Sequence, residues 1–398
     1  MKKVQKMFPD ACIPYGTWGA SFFPAWQTSA LAEVNIGQFA GEGMARILGK
    51  RKVSAEQLDY LIIGSTVPWH WKFWNATVVA SCLGKRLPGF QMEQACATGL
   101  QAVILAAAQV QSGASNAVGV LTFDRTSDSP VGVFPERRAY QRTIAISDIW
   151  DNFGFDPATG KAMLTSAGNV ARKYKITKKE VDELTAYRSA QYFKAKENGF
   201  LNRVGVPLEI LNVQGKVMGV INEDTGVKKI DFNTLSAMRE LDSCVTGGTQ
   251  THAADGMATL IVASKEKAKQ LSKKPEVNIS FVAKTEVRAS ASCMPEAPAL
   301  AVKKLLQDTY LTMKNMTVVK NHNPFAVNDA VFSKLMNYDW KKMNNTGSPL
   351  VFGHPQGPTL TRVTIEALEE AVDLGGGYVL IFGCAAGDVG IAAILKVD

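Results

Sequence analysis

The sequence predicts a layered α/β fold made of two similar halves with an inserted region between them. Apolar strands alternate with amphipathic helices over the first part of the chain, and the same rhythm returns over the last part. The middle is richer in aromatic and charged residues, which separates it from both halves. We expect residues 1–124 and 247–272 to form the first half, 125–246 the insertion and 273–398 the second half. The repeated rhythm indicates an internal duplication.

In the first half, the hydrophobic periodicity predicts strands over residues 58–66, 89–95 and 116–124, and helices over 38–48, 75–83 and 99–113. This alternation favours a mostly parallel sheet. In the insertion, helices are predicted over 163–174 and 178–198, and the second opens on Thr177 and Glu180, a capping-box pair. Beyond it, strands are predicted over 256–264, 316–320, 377–384 and 390–397, and helices over 297–314, 326–336 and 359–374.

Composition excludes several classes of protein. The chain has 398 residues, 46% of them hydrophobic and 20% charged, so it can bury a large core and is not disordered. No apolar run reaches the ~18–20 residues of a membrane span. The first residues carry lysines but no apolar stretch, so we expect no secretory signal and a cytoplasmic protein.

The net charge of +8 is spread along the chain in short basic clusters. No nucleic-acid-binding motif accompanies it, so nucleic acid is not an expected partner. The charge is explained either by solvated surface or by an anionic small molecule such as a nucleotide-tailed thioester.

The six cysteines and four histidines suggest chemistry rather than cross-linking. No CxxC pair occurs and no cysteine has metal-ligand spacing to a histidine, so neither a disulfide framework nor a metal site is expected. Cys96, His322, His354 and Cys384 each lie at or just after the end of a predicted strand, where open α/β sheets place their sites. Each alone is also explained by packing or by a turn. Together they suit acyl transfer by a cysteine nucleophile and a histidine base, with a second cysteine moving a proton.

Two further features concern the cysteines. Cys96 precedes a predicted helix, and a helix N-terminus stabilises a thiolate, so we expect a lowered pKa there. The small residues after Cys384 form a turn whose backbone N–H groups can face an oxyanion.

Four segments, in order, resemble the thiolase family and cover nearly the whole chain. They are QACATGLQA around Cys96, MLTSAGNVARKYKITKKEVDELTAYRSAQ from residue 163, GHPQG around His354 and GGGYVLIFGCAAGDVGIAAI around Cys384. The resemblance implies a duplicated α/β/α/β/α fold whose inserted loop domain binds CoA. It implies CoA as co-substrate and no tightly bound cofactor.

The resemblance also implies a role for each site residue. Cys96 would take the acyl group as a thioester, and His354 would deprotonate Cys96 and later help to hold the thioester oxyanion. Cys384 would protonate the departing carbanion. Backbone N–H groups of Cys96 and Ala386 would form a second oxyanion site. Residues expected to contact substrate or CoA are Met163, Thr251, Pro324 and Phe325.

Two segments depart from the common family pattern. The NEAF segment is replaced by His322-Asn323-Pro324-Phe325, which resembles the HDxF form of sterol-carrier and archaeal thiolases, as LDSC at 241–244 resembles their LDCC. Asn323 replaces the acidic residue of both forms, which removes a charge expected to tune His322. Ala385 to Asp388 replace a more glycine-rich run, through either an altered acyl pocket or drift.

The expected function is thiolytic cleavage of a 3-oxoacyl-CoA to acetyl-CoA, or another acyl-CoA, plus a shortened acyl-CoA. Five of the seven tryptophans lie in the first 74 residues, which fits a core, a subunit interface, or a pocket for a bulky or aromatic acyl group such as that of benzoylsuccinyl-CoA. The resemblance implies a homodimer or tetramer, and a small zinc-ribbon/OB-fold protein as a further partner. Two alternatives stay open: a condensing synthase of the same superfamily, and a thiolase-like subunit that needs this partner or is inactive.

Overall fold

The computed structural model describes residues 6–138, 141–212 and 214–398. Its strands are β1 (Phe8–Cys12), β2 (Gly19–Ala20), β3 (Tyr60–Gly64), β4 (Gly89–Met92), β5 (Ala117–Arg125), β6 (Gly132–Arg138), β7 (Gln141–Ser147), β8 (Leu208–Leu211), β9 (Val217–Ile221), β10 (Glu240–Asp242), β11 (Val245–Thr246), β12 (Asp255–Ser264), β13 (Ile279–Arg288), β14 (Met316–His322), β15 (Gly377–Ala385) and β16 (Val389–Val397). Its helices are α1 (Ile36–Lys50), α2 (Ala76–Cys82), α3 (Thr98–Gln111), α4 (Ile149–Gly154), α5 (Met163–Lys173), α6 (Lys178–Glu197), α7 (Leu201–Val204), α8 (Phe232–Ser236), α9 (Lys265–Leu271), α10 (Ala297–Thr309), α11 (Ala326–Met336), α12 (Pro349–Phe352) and α13 (Gly357–Asp373).

A ten-stranded sheet runs through both halves of the chain. The first half contributes the order β1-β12-β5-β3-β4 and the second the order β13-β16-β15-β14, joined where β1 pairs with β13, while β2 pairs with β12. Counted from this junction, each half has two antiparallel pairs followed by a parallel one, and the first half adds a second parallel pair between β3 and β4. The repeated order of pairing supports the predicted duplication.

The strands predicted in the first half, β3, β4 and β5, pair parallel as expected, but the sheet as a whole is mixed. β16 follows β15 after a short turn, and strands joined in this way can only pair antiparallel. β1 and β13 were not predicted, since β1 contains a proline and an aspartate and β13 places charged residues between its apolar ones. The helix predicted over 297–314 ends at Thr309 instead, where Tyr310 adopts a left-handed φ of 56°.

Helices α3 and α13 form the central layer of the fold. They pack against each other, α3 also against strands of the first half and α13 against strands of both halves. Helices α1 and α2 cover the outer face of the first half, and α10 covers that of the second. This is the predicted α/β/α/β/α order of layers.

The two central helices approach closely at Gly99. A Cβ atom there would lie 2.6 Å from the backbone nitrogen of Thr361 and 2.7 Å from the carbonyl oxygen of Gly357. Any side chain at this position would therefore push the helices apart. The glycine sets the distance between the chain segments that precede each helix.

Between β5 and β12 the chain leaves the large sheet and forms α4 to α8 with three small two-stranded pairings. Its longest helix, α6, is held by two buried polar contacts one turn apart. Arg188 Nε lies 2.8 Å from Asp329 Oδ2, at α11. The Tyr192 hydroxyl donates to Asp224 Oδ2 at 2.9 Å, and Asp224 forms a bidentate pair with Arg362 of α13. The insertion is thereby fixed to the helices of the second half.

The tryptophans of the N-terminal region have mixed environments. Trp18 and Trp69 are buried in the main core, while Trp26, Trp71 and Trp74 are exposed. All six cysteines are free thiols. Among the described residues, no helix combines the length and the apolar character that crossing a bilayer requires.

Replacing Arg188 with alanine should strongly destabilise the fold, because the Asp329 carboxylate would stay buried without its cation. Losing one partner of a buried pair typically costs about 3–5 kcal/mol, and the free energy of unfolding in urea should fall by that amount. Arg203→Ala is the matched control, because its pair with Asp373 is solvent-exposed and should contribute less than about 1 kcal/mol. Equal losses in the two variants would contradict the prediction.

Candidate active site

Cys96 lies in a tight turn between β4 and α3. Ala95, just before it, has a φ of 43°, a left-handed conformation that is strained for alanine. The Thr98 hydroxyl holds this turn, because it donates to the Ala95 carbonyl at 2.7 Å and accepts from the Gln94 N–H at 2.8 Å. Cys96 is 5% exposed. The turn presents a nearly buried sulfur in front of the N-terminus of α3.

His354 lies in the loop between α12 and α13. Its Nε2 is 3.2 Å from the Cys96 sulfur, and its Nδ1 is 2.7 Å from the Thr359 hydroxyl. The His354 backbone N–H donates to the carbonyl of His252 at 2.9 Å. The ring is thus oriented by Thr359 on one side and faces the sulfur with its other nitrogen.

His322, the last residue of β14, stacks on His354. The ring centroids are 4.0 Å apart and the planes are inclined by 33°. Neither ring nitrogen of His322 has a hydrogen-bond partner among the described residues, although the side chain is fully buried. One ligand atom from each of Cys96, His322 and His354 lies within 4.8 Å of the others. By distance alone this group would also fit a metal ion, a possibility that the sequence did not predict.

Cys384 completes the cluster from β15. It is fully buried, and its charged form would interact with that of Cys96. Asn328 Nδ2 donates to the Cys384 sulfur at 3.4 Å. Backbone N–H groups of Cys96 and Ala386 are hydrogen-bonded to the Cys96 sulfur and favour its thiolate. The two cysteines, the two histidines and the Ala386 amide therefore meet in one place, as the sequence predicts.

Burial keeps the site neutral at rest. It raises the pKa of the Cys96 thiol to about 12 and lowers the pKa of His322 to about 3. The pKa of His354 lies well below its usual value, through burial and through the neighbouring His322. Burial also raises the pKa of Cys384. The expectation of a lowered Cys96 pKa is therefore wrong, because burial outweighs the helix N-terminus and the amide hydrogen bonds.

A cavity of about 370 Å³ opens beside Cys96. One wall is apolar and comes from α4, the segment after it and the second half: Ile149, Phe153, Phe155, Pro157, Met163 and Met294. Polar residues line the part near the sulfur, among them Thr66, Gln356 and Asp388. None of the tryptophans lines it, so the aromatic character of the wall comes from phenylalanines.

Of the four residues predicted to contact substrate or CoA, Met163 lines this cavity. The other three are not among the residues that line it. Thr251 donates its backbone N–H to the Pro324 carbonyl at 2.7 Å and its hydroxyl to the Pro349 carbonyl at 2.6 Å. Phe325 is 6% exposed and packs in the same apolar cluster as Cys384. These contacts support the loop that follows His322.

Asn323 turns away from the histidines. Its Nδ2 donates to Asp329 Oδ2 at 2.9 Å, and its Oδ1 accepts from the Leu350 N–H at 3.2 Å. Burial alone lowers the pKa of His322. The Asp329 carboxylate is already buried beside Asn323. The Asn323 amide donates a hydrogen bond to it, whereas an acidic side chain at this position would be repelled.

Sequence reasoning missed a buried carboxylate, Asp124, that joins two loops of the site. It accepts hydrogen bonds from the backbone N–H of Thr66, Val67 and Gly357 and from the Ser65 and Thr66 hydroxyls, at 2.7 to 2.9 Å. Gly357 lies three residues after His354, so Asp124 positions the histidine loop. Its signal in the sequence was an acidic residue at the end of an apolar strand.

A cysteine in contact with a histidine, next to backbone N–H groups that face the sulfur, is an arrangement typical of acyl-transfer enzymes. The family model described as "Thiolase, N-terminal domain" matches residues 23–266, and the one described as "Thiolase, C-terminal domain" matches residues 274–397. The chain therefore belongs to the thiolase family.

Individual relatives agree with this assignment. The human mitochondrial 3-ketoacyl-CoA thiolase is 24% identical, with 96% of each chain covered. The β-ketoadipyl-CoA thiolase of Acinetobacter baylyi is 26% identical over 78% of this chain and 80% of its own. The crystal structure of human mitochondrial 3-ketoacyl-CoA thiolase in complex with CoA superposes with a TM-score of 0.87 at 22% identity and covers all of both chains. That likeness shows the shared fold.

Alkylation of Cys96 by iodoacetamide should become faster with pH. The thiol pKa is raised, so Cys96 is protonated at neutral pH and the reactive thiolate fraction should rise about tenfold per pH unit from 7 to 10. The measurement is the pseudo-first-order rate of loss of acyltransferase activity, with the modified residue identified by mass spectrometry. In His354→Ala, alkylation of Cys96 should be slower when it is followed by mass spectrometry alone. A rate that is already constant above pH 7 would instead indicate a preformed thiolate–imidazolium pair.

Proposed function

We propose that this enzyme cleaves a 3-oxoacyl-CoA with CoA, giving acetyl-CoA or another acyl-CoA and a shortened acyl-CoA. The observation that carries the proposal is the 3.2 Å contact of His354 Nε2 with the Cys96 sulfur, with His322 and Cys384 beside it. The relatives are named 3-ketoacyl-CoA thiolase and β-ketoadipyl-CoA thiolase, and these names put their substrates in the same chemical class.

The first half-reaction uses both cysteines. Cys96 attacks the 3-oxo carbon while the neutral His354 takes its proton through Nε2. Negative charge develops on the 3-oxo oxygen, where the backbone N–H groups of Cys96 and Ala386 can hold it. The bond between C2 and C3 then breaks, the acyl group stays on Cys96, and the electron pair passes to C2. Cys384 gives its proton to C2, which releases acetyl-CoA when C2 is unsubstituted.

The second half-reaction returns the site to its starting state. The Cys384 thiolate takes the proton of the incoming CoA thiol, and the CoA sulfur attacks the acyl carbon. Cys96 leaves as the thiolate and regains its proton from His354. Both cysteines end protonated, which agrees with the raised pKa of each thiol at rest.

His322 supplies hydrogen bonding to the second charge that develops, on the thioester oxygen of the leaving enolate. Its ring lies against His354, and neither of its nitrogens has a hydrogen-bond partner in the described part of the chain. A neutral imidazole can donate from one nitrogen. We therefore assign His322 and His354 together to this oxyanion, and Asn323 to support of the loop.

The cavity suits a bulky or aromatic acyl group. Phe153, Phe155, Met163 and Met294 provide an apolar wall that a linear two-carbon group would not cover. Benzoylsuccinyl-CoA is one candidate of this kind. The net charge of +8 suits the phosphates of CoA, and we assign CoA binding to the inserted residues 125–246.

A condensing synthase is the less favoured alternative. Such enzymes use two histidines, or a histidine and an asparagine, beside the nucleophile and have no terminal catalytic cysteine. In this site the Cys384 sulfur lies close enough to Cys96 for their charges to interact, and Asn328 orients it. A proton donor in this position favours carbon–carbon cleavage.

Two variants should separate the half-reactions. Cys96→Ser should abolish both thiolysis and the exchange of labelled CoA into an acyl-CoA, because no thioester forms. Cys384→Ala should lower thiolysis by 10² or more, because C2 has no proton donor, and should lower the exchange by less, because exchange needs no proton on carbon and part of the CoA thiol ionises in water. Thiolysis is followed by the loss of acetoacetyl-CoA absorbance. Full thiolysis by Cys96→Ser would overturn the proposal.

We also propose a homodimer or tetramer. Four apolar residues of the β6/β7 hairpin are exposed: Val133, Phe134, Ile144 and Ile146. Elsewhere, Phe73 is 87% exposed. Exposed apolar surface of this extent marks protein interfaces. Because every proposed catalytic group lies in this chain, the purified oligomer should exchange CoA without any other protein. Light scattering gives its mass, and adding back any co-purifying zinc-ribbon/OB-fold protein tests for a partner. Exchange only in the presence of that protein would favour the dependent-subunit alternative.

A further inference from the structure

Gln356 occupies the variable position of the GHPxG loop, two residues after His354. Its φ of 70° is left-handed, so its side chain leaves the loop in a direction that an ordinary turn would not give. The side chain is 4% exposed and lines the cavity beside Cys96 and Ala386. None of the steps proposed for the cysteines and histidines uses it.

The amide of Gln356 is held at one end and unpaired at the other. Its Oε1 accepts from the Thr66 hydroxyl at 3.3 Å, and that hydroxyl shares its one hydrogen with Asp124 Oδ2, 2.8 Å away. Its Nε2 has no hydrogen-bond partner among the described residues, although the atom is buried. Buried polar groups in proteins are almost always paired, so an unpaired amide in a cavity wall indicates a ligand atom.

We propose that Gln356 determines specificity by donating a hydrogen bond to an oxygen atom on the acyl chain. This oxygen is distinct from the 3-oxo and thioester oxygens, which are held by the backbone amides and the histidines. The substrate class is then a 3-oxoacyl-CoA that carries a further carbonyl or carboxylate oxygen on its acyl group. This inference rests on the proposed thiolase function and narrows its substrate.

The preference for an oxygenated acyl chain would arise because a hydrocarbon chain leaves the Gln356 amide without a hydrogen-bond partner. The Nε2 atom is buried without a partner among the described residues, and a hydrocarbon chain that fills the cavity leaves it unpaired and shuts it off from water. An acyl oxygen supplies the missing hydrogen bond. Sites that bind a polar group through buried donors reject the analogue that lacks it for this reason.

The test compares two six-carbon substrates, 3-oxohexanoyl-CoA and 3-oxoadipyl-CoA, which differ by a terminal carboxylate. A third, the monomethyl ester of the latter, keeps the oxygens without the charge. The wild-type oligomer should show the higher kcat/KM with an oxygenated chain. In Gln356→Leu, the ratio of kcat/KM for that chain over the hydrocarbon chain should fall at least tenfold.

Two further variants keep the result interpretable. Gln356→Met retains length without the amide and should give the same fall in the ratio even if leucine impairs folding. Thr66→Val removes the hydroxyl that orients the amide and should lower the ratio by a smaller factor. A higher kcat/KM for the ester than for the carboxylate would show that Gln356 binds a neutral oxygen. A higher kcat/KM for the carboxylate would show that it binds a charged one. Both results support the assignment.

An unchanged ratio in both Gln356 variants would overturn the assignment, as would equal loss of activity on all three substrates, which would show a purely structural role. If wild-type enzyme cleaves none of them and does not cleave acetoacetyl-CoA, the proposed thiolase function fails instead. The acetoacetyl-CoA assay thus separates failure of the function from failure of the Gln356 assignment.

Discussion

The close contact of α3 with α13 at Gly99 is the constraint on which the site depends. Cys96 and His354 are 258 positions apart in the chain, and each lies just before one of these helices. Because Gly99 admits the backbone of α13 to within van der Waals contact, the two helix N-termini converge on the sulfur. Their partial positive charges face the place where an oxyanion develops. Packing in the central layer and transition-state electrostatics thus have one origin.

Two buried carboxylates hold the loops around this contact. Asp124 links the ends of β3 and β5 to the first residue of α13. Asp329 links α6 to β14 through Arg188 and Asn321. Besides burial, Asp124 also raises the pKa of Cys96 through its negative charge. The carboxylate that fixes the histidine loop therefore helps to keep Cys96 protonated until His354 accepts the proton. Asp124 thus both positions the histidine loop and disfavours the charged form of Cys96 at rest.

Much of this could be read from the sequence, because the residues that perform the chemistry sit in short segments whose order is specific. The helices of the first half and the pairing of Cys96, His322, His354 and Cys384 follow from those segments. The antiparallel neighbours of β12 and β16 do not follow, since pairing direction depends on connections that periodicity does not encode. The absence of Thr251 and Phe325 from the cavity lining does not follow either, because a segment gives a position along the chain and not a contact with a particular cavity.

The protonation state of Cys96 shows a second limit of the sequence. A helix N-terminus is visible in the pattern of residues, but the depth of burial is not, and burial outweighs it. Asp124 was not predicted for a related reason. An acidic residue at the end of a strand is ordinary at a protein surface, and Asp124 is unusual only because it is buried and accepts five hydrogen bonds. The sequence therefore predicts which groups meet in the site better than it predicts their burial and their hydrogen bonds.

The wall of the cavity comes largely from residues 149–163, which belong to neither half of the large sheet. Arg188 and Tyr192 secure the insertion from a different helix, so the wall can change without loosening that attachment. The apolar wall and the reacting groups are consequently encoded in largely separate stretches of chain. Exchange of this one segment between related enzymes would be a direct route to new acyl selectivity with the carbon–carbon chemistry retained.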